Sequence, residues 1–234
     1  MNYTERLMRF DEAMEECGLD AAIYGTGANF QYFSGLSVPW RRGAEPERPA
    51  HLLVSVRGEV PRVILAGPGA DYGAAAPVET CAVAPDEVVP TLRRHLRGRR
   101  VGIDGGPAED YLRELVGEVL PGAELVNAGA LGENLRMCKE DGEIARLREA
   151  AALTDRVMSE LVEHIKPGIT QGQLGALIAE IGQSLGADGT SFSPTAGFVR
   201  SGTEATADPF VYPVDEGLTP GTSIAFDFGF VLNG

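Results

Sequence analysis

An aspartate near the carboxyl end of the chain has the setting that most clearly suggests chemistry. Asp227 lies inside an apolar run at 223–234 (SIAFDFGFVLNG), which is typical of a β-strand followed by an Asn-Gly turn. Side chains alternate along a strand, so Asp227 shares its face with the small residues Ala225 and Gly229. Small residues beside an acid suit a crowded face that binds a ligand, and an acid on a solvent-facing strand is the alternative. No return strand follows the turn, so we expect the chain to end at a hairpin tip, with any partners of Asp227 beyond it.

Other candidate residues carry weaker signals. Asp104 ends a predicted strand, where α/β sheets bind ligands, although a purely structural strand end is the favoured interpretation. The segment 67–73 (GPGADYG) resembles a dinucleotide loop, but its glycine spacing and the lack of a following helix favour an ordinary loop. His51, His95 and His164 have no metal-ligand spacing. The sequence contains no G-x-S-x-G, H-E-x-x-H or P-loop motif.

Composition limits the class of protein. The net charge of -14 over 234 residues argues against nucleic-acid binding, which needs clustered Lys and Arg. No apolar run approaches the length of a membrane span, and the polar amino terminus has no signal-peptide core, so we predict no membrane partner. Cys17, Cys81 and Cys138 fit no metal or redox spacing, and free thiols are typical of a reducing cytosol. We therefore predict a cytoplasmic protein.

Strands and helices alternate through the first part of the chain. Leu7, Phe10, Met14 and Cys17 lie on one helical stripe, and Gly18 ends that helix. The following segments predict strands at 21–24, 51–56, 62–66, 80–83, 101–104 and 124–127, and helices at 87–96 and 108–120. The second and third strands are predicted to form a hairpin. This alternation indicates an α/β layer with a mostly parallel or mixed sheet.

The predicted pattern changes after about residue 131 from alternating strands and helices to long helices. We place a boundary there between domains 1–131 and 132–234. A long helix is predicted over 140–165, with an apolar face formed by Ile144, Leu147, Ala151, Val157, Leu161 and Ile165. Thr170 is predicted to cap a second helix over 173–185. Residues 192–198, a polar loop to residue 221 and the final strand complete the chain.

Four motifs, in the right order, resemble those of the aminopeptidase P, prolidase and creatinase family. Residues 134–151 (NLRMCKEDGEIARLREAA) look like the start of its catalytic domain, and 165–174 (IKPGITQGQL) is similar to its "PGxTE" turn. Residues 218–229 (LTPGTSIAFDFG) resemble its "DxG" strand. Residues 18–23 (GLDAAI) and 29–35 (NFQYFSG) look like its N-terminal domain.

The resemblance implies a creatinase-type N-terminal α/β domain followed by the first part of a pita-bread α/β catalytic domain. Peptidases of the family hold two divalent ions, often manganese, zinc or cobalt, with two Asp, one His and two Glu. Several carboxylates offset the charge of two close cations, and a bridging hydroxide can then attack a carbonyl. Asp227 matches the first Asp of this set. The other ligands would lie beyond residue 234, so we expect this chain alone to bind no ion pair and to be inactive.

Two further positions bear on the substrate. Phe210 stands where peptidase members carry a His in a "DPH"-like context, and Phe can neither donate a hydrogen bond nor shuttle a proton. This departure puts Xaa-Pro specificity and creatinase activity in doubt. Members of the family often form homodimers in which one N-terminal domain lines the neighbour's active site. Arg41 and Arg42, beside the only Trp, could then bind a substrate carboxylate, with an exposed loop as the alternative.

Two functional hypotheses follow from different classes. The first is part of a metal-dependent hydrolase similar to Xaa-Pro dipeptidases and aminopeptidases, which cleaves a small peptide or amide. The second is a pita-bread binding module without a metal site, for which Phe210 is the supporting residue. The resemblance implies that the second half of the catalytic domain lies beyond residue 234. We therefore expect the strand at 224–232 to present an open apolar edge that promotes self-association.

Overall fold

The computed structural model describes residues 2–36, 47–67, 77–200 and 216–233. The chain divides into two compact units, Met1–Lys139 and Glu140–Gly234, called here the N-terminal unit and the C-terminal unit. Each unit combines helices with β-structure, which confirms the predicted α/β class.

The N-terminal unit is built on a six-stranded mixed sheet with the order β4-β3-β2-β1-β5-β6. Its strands are β1 (Ala21–Gly25), β2 (His51–Val56), β3 (Arg62–Ala66), β4 (Val78–Ala82), β5 (Arg100–Ile103) and β6 (Glu124–Asn127). The predicted hairpin is confirmed, since β2 and β3 pair antiparallel. The central strand β1 pairs antiparallel with β2 and parallel with β5, and β5 continues parallel to β6.

Helices cover both faces of this sheet. In β1, Ala22 and Tyr24 join a core with the helices α1 (Tyr3–Glu16) and α2 (Ala28–Ser34), whereas Ile23 joins a core with α3 (Val88–His95) and α4 (Glu109–Val119). A strand that is buried on both faces must be apolar throughout, which explains why β1 shows no polar alternation. A short 3-10 helix, Pro85–Glu87, precedes α3.

The first helix follows its sequence signals closely. Leu7, Phe10 and Met14 are buried on one stripe, as predicted, and the Asn2 side chain caps the helix by accepting a hydrogen bond from the amide of Glu5. Gly18 has a φ of 64°, the left-handed conformation that ends many helices. Cys17 was expected on the same stripe but is exposed, because the helix has already ended at residue 16.

Two short helices of the N-terminal unit were not predicted, namely α2 and α5 (Gly129–Met137). Both are too short to show a clear helical period, and α5 contains two glycines, which favour a loop interpretation. The domain boundary predicted at residue 131 falls inside α5, whereas the division between the two compact units follows Lys139 in the sequence. The boundary at 131 remains a prediction.

The C-terminal unit contains α6 (Asp141–Val162), α7 (Gln171–Ser184) and two ribbons. Its strands are β7 (Gly189–Thr190), β8 (Thr195–Arg200), β9 (Thr222–Asp227) and β10 (Phe230–Val231). Strands β8 and β9 pair antiparallel, as do β7 and β10. The predicted apolar face of α6 is confirmed at Val157 and Leu161, which pack with α7 and β8. Leu147 is 59% exposed, because the buried side chains of α6 all lie in its second half.

The run at 223–234 forms two strands instead of the single strand expected. It breaks at Phe228 and Gly229, between β9 and β10, so that the two pieces pair with different partners. Asn233 has a φ of 57°, which fits the turn signal read from Asn-Gly. Within the described residues, β8 occupies one edge of β9 and no strand occupies the other.

Candidate metal centre

Asp227 is the last residue of β9, and its side chain is exposed. It lies directly opposite Thr195 of β8 in the antiparallel register. The Thr195 hydroxyl donates to the backbone carbonyl of Asp227 over 3.4 Å. The carboxylate therefore stands at the end of a paired strand, where its backbone position is fixed and its oxygens are open to a ligand.

The two faces of the β8–β9 ribbon differ sharply. Phe198 and Ala196 of β8 are buried in the core, together with the partly buried Phe226 of β9. Asp227 lies on the opposite face, which also carries Ala225 and its cross-strand partner Gly197. The predicted alternation of β9 is therefore present up to Asp227. Gly229 was expected on the same face but follows the break after β9.

Aromatic packing fixes the backbone on the far side of Asp227. The rings of Phe226 and Phe228 meet edge to face at 6.4 Å, and those of Phe228 and Phe230 at 5.9 Å. The Phe230 ring packs directly over Gly182 of α7, where any side chain would overlap it. These contacts hold the two residues after Asp227 against the core. Asp227 is consequently followed by a packed backbone segment, and its own side chain is exposed.

The described residues supply only a single ligand at this position. Across residues 2–36, 47–67, 77–200 and 216–233, no three His, Cys, Asp or Glu side chains come together in a way that could hold a metal ion. A carboxylate oxygen suits manganese or zinc, but one carboxylate cannot offset the charge of two divalent cations. The described residues therefore do not fit a two-metal site by themselves. Arg41, Arg42 and Phe210, the other predicted site residues, lie outside the described ranges.

The three histidines lie in three separate segments of the chain. His164 is exposed just after α6. His51 is buried on β2, and burial lowers its pKa. His95 Nε2 lies 3.9 Å from Cys81 Sγ, and burial raises the pKa of that thiol, so the pair holds no activated thiolate.

Asp104 lies at a strand end, as predicted, but it is part of a partly buried hydrogen-bond network. Its Oδ1 accepts a hydrogen bond from Asn29 Nδ2 over 3.1 Å, and the Arg136 Nε donates to Asn29 Oδ1 over 2.9 Å. Sequence reasoning missed both partners. The signal that could have found Asn29 is an amide beside the aromatic residues of 28–36 (ANFQYFSGL), since a buried amide requires hydrogen-bond partners.

Comparison with known proteins decides the family. A model of the creatinase/prolidase N-terminal domain matches residues 6–138, and a model of metallopeptidase family M24 matches residues 145–234. The chain belongs to the creatinase/prolidase family. The match to this family's metallopeptidase model includes Asp227, and the match to its N-terminal model includes Asn29, Asp104 and Arg136.

Individual members of the creatinase/prolidase family resemble the chain at low identity. The uncharacterized hydrolase/peptidase y4tM of Sinorhizobium fredii is 27% identical over 198 residues, covering 75% of this chain and 48% of that protein. The prolidase of Thermococcus sibiricus superposes with a TM-score of 0.75 at 20% identity, covering 99% of this chain and 62% of that one. The dipeptidase PepE of Mycobacterium ulcerans gives 0.74 at 24% identity, with 99% and 62% covered. These likenesses confirm the predicted fold, and the chain spans less than two thirds of each relative.

Proposed function

We propose that this chain is part of a metal-dependent hydrolase, similar to Xaa-Pro dipeptidases and aminopeptidases, that cleaves a small peptide or amide. The observation that carries the proposal is the position of Asp227. It is an exposed carboxylate, held at the end of β9 on the small-residue face of the ribbon, within the region matched by the metallopeptidase model. In the complete protein it would contribute one carboxylate to a pair of divalent ions. Such ions supply a hydroxide nucleophile at neutral pH.

The substrate class rests on two positions outside the described residues. Phe210 replaces the His of the family's peptidases, so we propose a substrate whose cleavage does not need a hydrogen-bond donor there. We further propose a homodimer in which Arg41 or Arg42 binds a substrate carboxylate in the neighbouring subunit, because the guanidinium fork matches that group. Replacing both arginines with Gln should raise the KM for a dipeptide and leave kcat nearly unchanged. An unchanged KM contradicts this role.

The first measurement is the intact mass of the protein purified from its own source. A mass clearly above 24.8 kDa supports the hydrolase, since further ligands are then available to Asp227. A mass near 24.8 kDa overturns it and favours the alternative, a binding module without a metal site. Phe210 supports that alternative, because it exchanges a polar group for an apolar one.

The second measurement tests Asp227 directly in the complete protein. Asp227→Asn should lower the bound metal from two ions to one or none and should reduce kcat for Xaa-Pro dipeptides by at least about 100-fold. The matched control is Asp155→Asn, another exposed carboxylate of the C-terminal unit, which should retain both ions and full turnover. Full metal content and activity in Asp227→Asn would contradict the proposal.

A chain of these 234 residues alone is expected to be inactive. The described residues provide one carboxylate where two cations need several ligands. The test is turnover of an Xaa-Pro dipeptide panel by the manganese-loaded chain. Cleavage above that of the Asp227→Asn chain contradicts this expectation.

We propose a cytoplasmic location on the three free cysteines, Cys17, Cys81 and Cys138. Among the described residues, no helix is both long and apolar enough to cross a membrane. Fractionation of the source cells, with intact-mass detection, checks the location.

A further inference from the structure

Polar side chains meet at one edge of the N-terminal sheet. Because β1, β5 and β6 run parallel, their carboxyl ends lie together. Asp104 follows β5, Asn127 ends β6, and Asn29 lies in the first turn of the helix after β1. Asn29 is only 6% exposed, so its amide must find its partners within the protein.

A continuous chain of hydrogen bonds connects three elements at this edge. Arg136 of α5 donates from Nε to Asn29 Oδ1 over 2.9 Å. Asn29 Nδ2 donates to Asp104 Oδ1 over 3.1 Å and to the carbonyl of Gly129 over 3.3 Å. Asn29 therefore lies between a cation on α5 and a carboxyl group at the end of β5, and it bonds to both.

Hydrogen bonds hold the backbone at both ends of α5. The first end is bonded to the sheet and the second end to α2. The Tyr24 hydroxyl donates to the carbonyl of Ala128 over 3.1 Å, and the Tyr32 hydroxyl donates to that of Leu135 over 3.2 Å. Gly132, in the middle of α5, lies so close to the Asn29 amide that a β-carbon there would overlap it. The position of α5 thus depends on Asn29 and on the groups that hold Asn29 in place.

The bond between Asn29 and Arg136 joins two motifs that the sequence analysis treated separately. Asn29 begins the motif at 29–35, and Arg136 belongs to the run at 134–151 that resembles the start of the catalytic domain. Arg136 lies in the N-terminal unit, and its guanidinium reaches back to α2.

We propose that Asp104, Asn29 and Arg136 form a latch that holds α5 against the N-terminal sheet, and that protonation of Asp104 controls how firmly it holds. This inference is independent of the proposed function, since it uses no metal ligand and no substrate.

Burial and the charges around Asp104 determine its pKa, and the pKa determines how the latch responds to pH. Burial raises the pKa of Asp104 to about 6, an effect that Glu133 of α5 strengthens. The hydrogen bonds from Asn29 and the Gly105 amide, and the charge of Arg136, oppose it. Tyr24 of β1 also faces this group, and burial and Asp104 together raise the pKa of its hydroxyl, so that it stays neutral.

The latched state therefore favours neutral Asp104, whereas opening α5 exposes the carboxyl group to water and returns its pKa towards 3.8. The latched state binds the proton more tightly, so raising the pH through 6 favours opening. The latch is firmest in mild acid and looser above neutral pH.

Hydrogen exchange of the α5 amides in the 234-residue chain tests the latch. After correction for intrinsic exchange rates, protection at 133–137 should fall by about 20-fold between pH 4.5 and pH 7.5. Asp104→Asn keeps the shape of the neutral side chain but cannot ionise, so its α5 protection should be independent of pH. The control Asp20→Asn changes a carboxyl group at the opposite edge of the sheet, which bonds to the Arg99 and Arg100 amides, and should retain the fall.

A second readout needs no variant. The NMR signals of the Asn29 side-chain amide and of the Arg136 Nε–H should titrate together with a midpoint near 6. Protection that is constant with pH in the wild-type chain overturns the proposal. So does an equal fall in Asp104→Asn, or a midpoint near that of an ordinary carboxyl group.

Discussion

At Gly132, the absence of a side chain allows α5 to approach Asn29. Gly132→Ala should destabilise the protein by about 1–3 kcal/mol, because the added methyl group overlaps the Asn29 amide and forces the helix outward. Gly117 of α4 is the matched control, since a β-carbon there meets nothing within 4 Å. Gly117→Ala should stabilise the protein by about 0.5–1 kcal/mol through helix propensity. Urea unfolding followed by circular dichroism measures both, and equal effects in the two variants contradict the explanation.

Asp20 shows the opposite pH behaviour to Asp104. Its carboxylate accepts hydrogen bonds from the backbone amides of Arg99, over 2.7 Å, and Arg100, over 3.1 Å, and these bonds lower its pKa below the usual 3.8. Its contribution to stability is therefore present above pH 3.8 and is lost as the pH falls through the lowered value. Asp20→Asn should cost about 1 kcal/mol at pH 7. The difference should disappear in acid when unfolding is measured from pH 7 down to pH 2.

Individual residues were predictable where their role depends on neighbours in sequence. The strand setting of Asp227 follows from alternation, and the end of α1 before Gly18 follows from the glycine after an amphipathic stripe. Asn29 and Arg136 are separated by roughly a hundred residues, and nothing local to either residue indicates the other. Their bond depends on the sheet that brings α2 and α5 together.

Among the elements, α7 begins with a reciprocal cap, in which only the role of Thr170 was predicted from the sequence. Thr170 Oγ1 accepts from the Gln173 amide, and Gln173 Oε1 accepts from the Thr170 amide. Thr170→Ala should lower the free energy of unfolding by about 1 kcal/mol. Thr154→Ala in the interior of α6 is the control. Its hydroxyl donates a hydrogen bond to the carbonyl of Ala150 in the preceding turn, so its removal should change stability by less than about 0.5 kcal/mol. Matching losses in the two variants would mean that the cap contributes nothing specific.

The elements found from sequence are those with a clear period or clear ends. The long helix α6, the hairpin β2–β3 and the buried strand β1 all have such signals. The break between β9 and β10 was missed, because the run is apolar on both sides of Asp227 and a single Gly does not mark where pairing changes. Tertiary pairing with β8 and β7 decides the break.

At the scale of the whole molecule, the second edge of β9 is the feature with the clearest consequence. Within the described residues it pairs with no strand, so its backbone groups can pair with another copy. The 234-residue chain should therefore self-associate at micromolar concentration. Ser223→Lys places a charge on the exposed face of β9 and should reduce the associated fraction in sedimentation velocity. Ser159→Lys, which adds the same charge on α6, should not. A wild-type chain that stays monomeric contradicts the prediction.

The topology of the N-terminal sheet also determines when its strands can pair during synthesis of the chain. The central strand β1 leaves the ribosome early, but its parallel partner β5 follows roughly 80 residues later, which is roughly 4 to 16 s at ordinary rates of translation. During that interval the hairpin β2–β3 can form, and β2 can pair with one edge of β1. The second edge of the apolar strand β1 therefore stays unpaired in the nascent chain until β5 has been synthesised.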